Sequence, residues 1–332
     1  MTGAGGSIGS EVVKTILQFQ PRKVIALDID ETDLFNLKNK LPKAPCDVLP
    51  VIADIRDKKK LEHIFRTCRP EVIVHSAAYK HVPIIEDSPD EAIKTNVLGT
   101  KNLAELAIQY GTERFINIST DKAINPTSIM GATKRVSEEL LKVLNKMNST
   151  RFISVRFGNV LGSRGSVIPL FEEQIKRGGG GPVAVTHPEM KRYFMVVSEA
   201  VLLVLQAAAN GEGGEVFILD MGEPIKIIDL AREMIRLSGF EPDMDIKIEF
   251  TGIRPGEKLF EELLEAEEGS EPTEHPKIFT ARSHMTNNGL NGKDERWLLK
   301  KIDLSIEKSL NNPNRQDLVA AIQELLPTFR LN

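Results

Sequence analysis

The chain has 332 residues, enough for about two domains at roughly 150 residues each. Its 43 Lys and Arg nearly balance 47 Asp and Glu, for a net charge of −4, which excludes the basic excess of a general nucleic-acid binder. With 41% hydrophobic and 27% charged residues the composition is globular, and two cysteines are too few for a disulfide framework, which points to the cytoplasm. No apolar run of about 18 residues predicts a membrane span.

The chain opens on Thr2-Gly3-Ala4-Gly5-Gly6-Ser7-Ile8-Gly9-Ser10. Gly3, Gly6 and Gly9 at three-residue spacing predict a tight turn into a helix over 10–19, with close backbone approach to a pyrophosphate. Val24 to Leu27 is a buried-strand run that ends at Asp28. A carboxylate about 20 residues after such a turn binds the adenosine ribose hydroxyls and repels a 2′-phosphate. Ile29-Asp30-Glu31-Thr32 brings no cation to offset that repulsion, so NAD is favoured over NADP. A helix over 31–40 precedes a strand from Val48 to Ala53, whose end at Asp54 suits an adenine contact. A helix over 58–67 leads to Val72-Ile73-Val74 and then His75-Ser76-Ala77-Ala78, where the small Ala77 and Ala78 let the cofactor backbone pass.

A helix over 91–110 precedes the strand Phe115 to Ile118, which ends in Ser119-Thr120-Asp121-Lys122. Met130-Gly131-Ala132-Thr133-Lys134 then begins a helix over 132–148. This places a hydroxyl, an acid and an amine at the crevice end of the sheet, with the Lys134 charge beside them. Phe152 to Phe157 is a further strand. Ile- and Val-rich strands separated by helices predict a parallel sheet with right-handed crossovers. Residues 1–160 therefore read as a doubly wound α/β domain of the Rossmann type.

Residues 161–332 read mainly as a smaller, discontinuous mixed α/β substrate lobe, with about 194–220 returning to the first domain. Arg177 to Pro182 is a glycine-rich turn, 196–209 a core helix, 216–219 a strand, 225–239 a helix and 265–275 an acidic surface loop. His63, His75, His81, His187, His275 and His284 lack metal-ligand spacing, as do Cys46 and Cys68, so no metal is expected.

The segments TGAGGSIGSE, HSAAYKHVPIIEDSPDEAIKTNVLGT, ISTDKAINPTSIMGATKR, RFGNVLGSRGSVIP and GIRPGEKLFEELL stand in this order between position 2 and about 264. Together they resemble the extended short-chain dehydrogenase/reductase superfamily, and within it the nucleotide-sugar 4,6-dehydratases of the CapD-like polysaccharide biosynthesis family. The resemblance implies NAD held by Gly3, Gly6, Ser7, Ile8, Gly9, Asp28, Asp54, Ile55, Ala77, Ala78 and Lys134. It implies catalysis by Thr120, Asp121, Lys122 and Lys134. Superfamily members usually carry Tyr-x-x-x-Lys, and here Met130 holds the tyrosine position. A thioether is no general base, so the C4 hydroxyl base is Thr120, Lys134 or a water relay.

The implied reaction converts UDP-N-acetylglucosamine to a UDP-4-keto-6-deoxy sugar for capsule, O-antigen or other glycan synthesis. The Met130 variant favours retention at C5. Rival readings are a C5-inverting dehydratase, a nucleotide-sugar 4-epimerase and a silent NAD-binding module. Asp121 is expected to protonate the C6 oxygen and Lys122 to take the C5 proton, with their side chains aimed at different substrate atoms. Asn159, by resemblance, and Arg192, Arg254 and Glu257 are the expected substrate contacts, with Lys80 beside them; Arg192 and Arg254 would grip the diphosphate. The helices over 91–110 and 132–148 lie where the superfamily forms a four-helix dimer interface, which implies a homodimer. The apolar strand that should precede Thr2 is absent, so a truncated first strand is expected, with a membrane region and linking domain preceding it in a longer parent.

Overall fold

A computed structural model describes residues 1–41, 46–177, 181–263, 269–282, 294–311 and 313–331. In the first half, strands and helices alternate: α1 (Ser7–Ile16), β1 (Lys23–Asp28), α2 (Glu31–Lys40), β2 (Asp47–Ile52), α3 (Lys58–Cys68) and β3 (Val72–His75). Short α4 (Val82–Asp87) and α5 (Pro89–Ala92) lead through a π-helical stretch at Ile93–Gly99 into α6 (Thr100–Gln109). Then follow β4 (Arg114–Ile118), α7 (Ile129–Met147) and β5 (Arg151–Arg156). These strands run parallel, with the β3–β4 and β4–β5 registers unbroken. In β4 and β5 the Ile, Val and Phe side chains are buried on both faces, as a helix-covered parallel sheet requires, while Ile52 of β2 and Val72 of β3 stay exposed.

β1 pairs with β2, and β3 begins a separate ladder, so the sheet is in two parts. Between them stand Met1 and Thr2. Thr2 bridges Leu27 on one side and His75 on the other, and its N–H donates to the Val74 carbonyl at 3.0 Å. His75 pins this junction. The Thr100 hydroxyl donates to the Asn96 carbonyl at 2.6 Å, so the 2.9 Å contact between Thr100 and His75 Nε2 is a donation by the imidazole. His75 Nδ1 then accepts from the Thr2 hydroxyl at 2.7 Å.

The second half contains β6 (Asn159–Val160), α8 (Val167–Lys176), β7 (Val183–Val185), β8 (Lys191–Arg192), β9 (Phe194–Met195), α9 (Val197–Asn210) and β10 (Val216–Leu219). It continues with β11 (Ile225–Lys226), α10 (Ile227–Leu237), β12 (Ile248–Phe250), β13 (Ser270–Pro272), β14 (Ile278–Ala281), α11 (Glu295–Asn311) and α12 (Arg315–Leu325). β10 extends the main sheet parallel to β5, while β14 and β13 add antiparallel at its edge. Part of the expected acidic loop is thus strand: Ser270 to Pro272 pairs with β14, and the proline, which has no N–H to donate, sits at the outer edge. Residues 265–268 of that loop, and 178–180 of the glycine-rich turn, lie outside the described residues. The lobe has its own core, where Phe171, Ile175, Val183, Val185, Ala231, Ile235 and Ile246 meet.

The C-terminal helices correct one expectation. α11 and α12 do not join the lobe. Their Leu298, Ile302, Ile306, Leu318 and Ile322 pack on Val97, Val136, Leu140 and Val143. They cover an apolar face of α7 and the 93–99 stretch, their amphipathic stripes supplying the apolar surface it needs. No helix of the described residues is long and apolar enough to cross a membrane.

Candidate active site

A cavity of about 530 Å³ opens at the carboxyl ends of the parallel strands, where the α1 turn, β1, β3 and β4 end. Gly3, Gly6, Ser7, Ile8 and Gly9 line one end, with Asp28, Asp54, Ile55, Ala77 and Ala78 beside them. Gly3 has φ +65°, and a Cβ there would lie 2.7 Å from the Ala77 nitrogen, so only glycine lets the turn pass. No side chain caps the N-terminus of α1, which leaves its first N–H groups free for an anion. Asp28 accepts from Gly5 N–H at 2.8 Å and from Asp30 N–H at 3.1 Å, so its carboxylate is fixed at the cavity wall. Asp54 is more committed than expected: Arg56 reaches it through the backbone N–H at 2.8 Å and the guanidinium at 2.7 Å. Burial would raise the Asp54 pKa, but the Arg56 bonds and charge outweigh it and hold it below the usual carboxylate range.

Thr120, Lys122, Met130 and Lys134 line the middle of the cavity. They are positioned by β4 and by α7, whose N-cap Ser128 accepts from Gly131 N–H at 3.1 Å. Gly131 lies against the Lys122 carbonyl, so the helix start packs directly on the 121–123 turn. The Lys134 ammonium donates to the Ile118 carbonyl at 2.7 Å, and burial pushes its pKa down to about 8. Asp121 is 1% exposed and lies behind the wall. The Thr120 hydroxyl donates to Asp121 Oδ1 at 2.8 Å, and Lys122 Nζ meets the same oxygen at 2.9 Å. The separate aims expected for Asp121 and Lys122 are thereby corrected: adjacent on one tight turn, they form an ion pair. Burial lowers the Lys122 pKa, yet Asp121 and then Glu261 outweigh it and hold it above the ordinary lysine value. Asp121 Oδ2 is buried without a hydrogen-bond partner.

A second cavity adjoins the first through Lys80, Lys122 and Asn159. Arg192, Arg254 and Glu257 line it, so the expected substrate residues do converge there. Their states differ. Arg254 is exposed, and its backbone N–H donates to Glu257 Oε2 at 3.4 Å. Arg192 is 8% exposed and spends its donors on the carbonyls of Lys191, Lys258 and Leu259 at 2.7–3.2 Å. It clamps the 254–262 segment rather than presenting a free fork. Lys80 Nζ donates to the Arg164 carbonyl at 2.9 Å.

Three residues escaped the sequence reading. Arg164 crosses from the lobe to pair with Asp33 at 2.5 and 2.9 Å, and its N–H donates to the Ser7 hydroxyl at 3.0 Å, so the 163–165 loop straps the glycine-rich end. Asn96, in the π-helical stretch, holds the segment after Ala78: its Oδ1 accepts from Tyr79 N–H at 2.9 Å and its Nδ2 donates to the Tyr79 carbonyl at 3.1 Å. Glu261 is buried 3.6 Å from Lys122 Nζ. All three act across long stretches of chain, and no local spacing marks them. Among the described residues no group of three or more His, Cys, Asp or Glu could hold a metal ion.

A Rossmann-type crevice with an acid–hydroxyl–amine cluster at a strand end defines a nucleotide-binding α/β protein. Residues 1–283 match the family described as polysaccharide biosynthesis protein, and the chain belongs to that family. It is 49% identical over 323 residues to the capsular polysaccharide biosynthesis protein CapD of Staphylococcus aureus, a match that covers 96% of this chain and 52% of that protein. The chain thus spans about half the length of this relative. It is 37% identical to a UDP-N-acetylglucosamine 4,6-dehydratase (inverting) of Campylobacter jejuni, over 81% of this chain and 77% of that one. Among solved structures it superposes on Pen from Bacillus thuringiensis with a TM-score of 0.78 at 36% identity, over 85% of each chain. It superposes on the Thermus thermophilus UDP-glucose 4-epimerase complex with NAD with a TM-score of 0.67 at 25% identity, over 79% of this chain and 88% of that one.

Proposed function

We propose that this chain carries out the NAD-dependent 4,6-dehydration of a UDP-N-acetylhexosamine, UDP-N-acetylglucosamine being the favoured substrate, as a hydro-lyase of surface polysaccharide synthesis. The observation that carries this reading is the Thr120–Asp121–Lys122 chain of contacts at the junction of the two cavities. The residues fit NAD on two counts: the backbone cradle at Gly3 that a Cβ would fill, and a carboxylate at Asp28 anchored for ribose hydroxyls. Gly6, Ser7, Ile8 and Gly9 would hold the pyrophosphate, Asp54 and Ile55 the adenine side, Ala77 and Ala78 the backbone, and Lys134 the nicotinamide ribose. Bound NAD supplies a hydride acceptor for C4 and a hydride donor for C6.

The protein's own groups manage the protons. A C4 hydroxyl proton accepted at Thr120 Oγ1 passes Thr120's own proton along the 2.8 Å bond to Asp121. That leaves Asp121 protonated behind the cavity wall, and the Thr120 hydroxyl, which lines the cavity, passes a proton to the departing C6 oxygen as it regains one from Asp121. The neutral Asp121 no longer supports the Lys122 charge, so burial drives Lys122 to release its extra proton to the solvent of the open cavity, leaving the neutral amine that removes the C5 proton and later returns it. The relay replaces the proton acceptor that Met130 lacks. Lys80, Asn159, Arg254 and Glu257 bind the sugar diphosphate and its ribose, and Arg192 holds their loop in place. Residues 1–160, with the strands that rejoin the sheet, form the cofactor half, and the lobe forms the substrate half.

Retention at C5 is the favoured outcome, and inversion, as the name of the Campylobacter relative states for that protein, is the rival. Incubation with UDP-N-acetylglucosamine, followed by mass and proton NMR analysis, decides. Loss of one water with the C5 configuration kept supports the reading. An inverted C5 selects the rival. Unchanged mass with an altered C4, or no reaction, overturns both.

A further inference from the structure

Lys122 is gripped by two carboxylates from different parts of the fold. Asp121, its neighbour on the 121–123 turn, lies 2.9 Å away, and Glu261, from the lobe segment that follows Arg254, lies 3.6 Å away. Glu261 is 7% exposed, its Oε1 also lies 3.8 Å from Arg192 Nε, and its Oε2 is buried with no hydrogen-bond partner. A buried carboxylate with an unmet oxygen is costly unless a cation closes on it. Arg192 is held by three bonds from its terminal nitrogens to the carbonyls of Lys191, Lys258 and Leu259, which keep its Nε at 3.8 Å from Glu261. The Lys122 ammonium has three donors and uses one on Asp121, so a small side-chain shift brings it into hydrogen-bond range of Glu261.

We propose that Glu261 is a positioning residue that retains the proton on Lys122 from the lobe side, so that the lobe helps set the pH at which Lys122 becomes a base; its place in the reaction rests on the reading of Lys122 as the C5 base. The charged groups that face Lys122 are Asp121 on its own turn, Glu261 and Arg192 from the lobe, and Lys80 from the segment after β3, with Lys134 of α7 on the same cavity wall. Two anions oppose the cations. Once Asp121 takes up a proton, Glu261 is the anion that remains, and it governs how readily Lys122 gives up its own.

The test follows the Lys122 proton directly, in the full chain and without turnover. Each lysine is acetylated competitively across a pH series and read by peptide mass spectrometry, in the parent protein, Glu261→Gln and Glu261→Asp. Removing the charge lowers the midpoint for Lys122 reactivity by about one pH unit or more in Glu261→Gln, whereas Glu261→Asp stays near the parent. A midpoint unchanged in Glu261→Gln overturns the proposal. In parallel, the rising limb of kcat against pH with UDP-N-acetylglucosamine moves to lower pH in Glu261→Gln. A rate that drops equally at every pH, with the limb unmoved, also overturns it, because that is the behaviour of a purely structural salt bridge. If the parent loses no water from the sugar nucleotide while the Lys122 midpoint still moves, the dehydratase reading fails and the Glu261–Lys122 coupling stands.

Discussion

Glu138 and Arg156 form a doubly bonded ion pair directly beneath the candidate site. Arg156 NH2 lies 2.6 Å from Glu138 Oε2, its Nε lies 2.9 Å from Oε1, and Arg156 is 1% exposed. Ser119, one residue before Thr120, donates to the same Glu138 oxygen at 2.5 Å. The pair thus ties α7 to the ends of β4 and β5, the three elements that aim the Thr120–Lys122 turn. Burial raises the Glu138 pKa, and the Arg156 charge and bonds override it and hold the group ionised.

Breaking that pair removes the carboxylate that neutralises a buried guanidinium. Glu138→Gln is expected to lose about 3–5 kcal/mol of stability. Urea unfolding followed by circular dichroism measures it, and a loss under about 1 kcal/mol would show that the pair is not what holds these ends together.

Asp121→Asn keeps the shape of the turn and removes its titratable proton. NAD affinity, measured by calorimetry, stays within about threefold, while turnover of UDP-N-acetylglucosamine falls by a factor on the order of 100 or more. Lys122→Ala abolishes solvent deuterium exchange at C5, read by NMR. Undiminished turnover in the first, or persistent exchange in the second, removes that residue from its role.

His75 gives a pH signature of folding. Burial first, then the Lys134 ammonium, pushes its imidazole down to about 3 from an ordinary value of 6.5. The unfolded chain therefore binds a proton between those values that the folded chain refuses. The neutral imidazole's contribution is fully present above about pH 6.5 and is lost as pH falls toward 3, by on the order of 5 kcal/mol at the limit. Urea midpoints at pH 7, 5.5 and 4.5 should fall steeply in the parent and less steeply in His75→Asn. Parallel slopes would contradict the assignment.

The Arg164–Asp33 strap is solvent-facing, with 67% of the Arg164 side chain exposed, so its pair is worth only about 0–1 kcal/mol. Arg164→Ala is expected to speed NAD release by no more than about fivefold, with fold stability unchanged. A stopped-flow chase with excess unlabelled cofactor measures the rate. A change of 100-fold would mean that Arg164 touches the cofactor itself.

What the sequence made legible was local. Gly3, Asp28, Ala77 and Thr120 sit at or just beyond strand and helix ends, and Lys134 in the first turns of α7, places that short Ile- and Val-rich runs ending in polar residues mark directly. All of them line one cavity. Hidden was whatever depends on distant segments meeting. Arg164 finds Asp33 across 131 positions. Arg192 turns from a free diphosphate fork into a loop clamp because Lys258 and Leu259 come to it. Asp121 and Lys122 are adjacent in sequence, but their pairing depends on the tight 121–123 turn rather than on spacing. The C-terminal helices were equally opaque: amphipathic stripes announce that a helix must cover something without saying what.

Their position has a practical consequence. The family match ends at residue 283, but much of the apolar surface of α7 and the π-helical stretch is covered by α11, α12 and the Leu326 and Phe329 that follow them. Trimming the protein to its recognisable family limit would lay bare Val97, Val136, Leu140 and Val143 together. The shortened protein would be expected to self-associate through that newly greasy flank, and any oligomer it formed would report the cut rather than the native assembly.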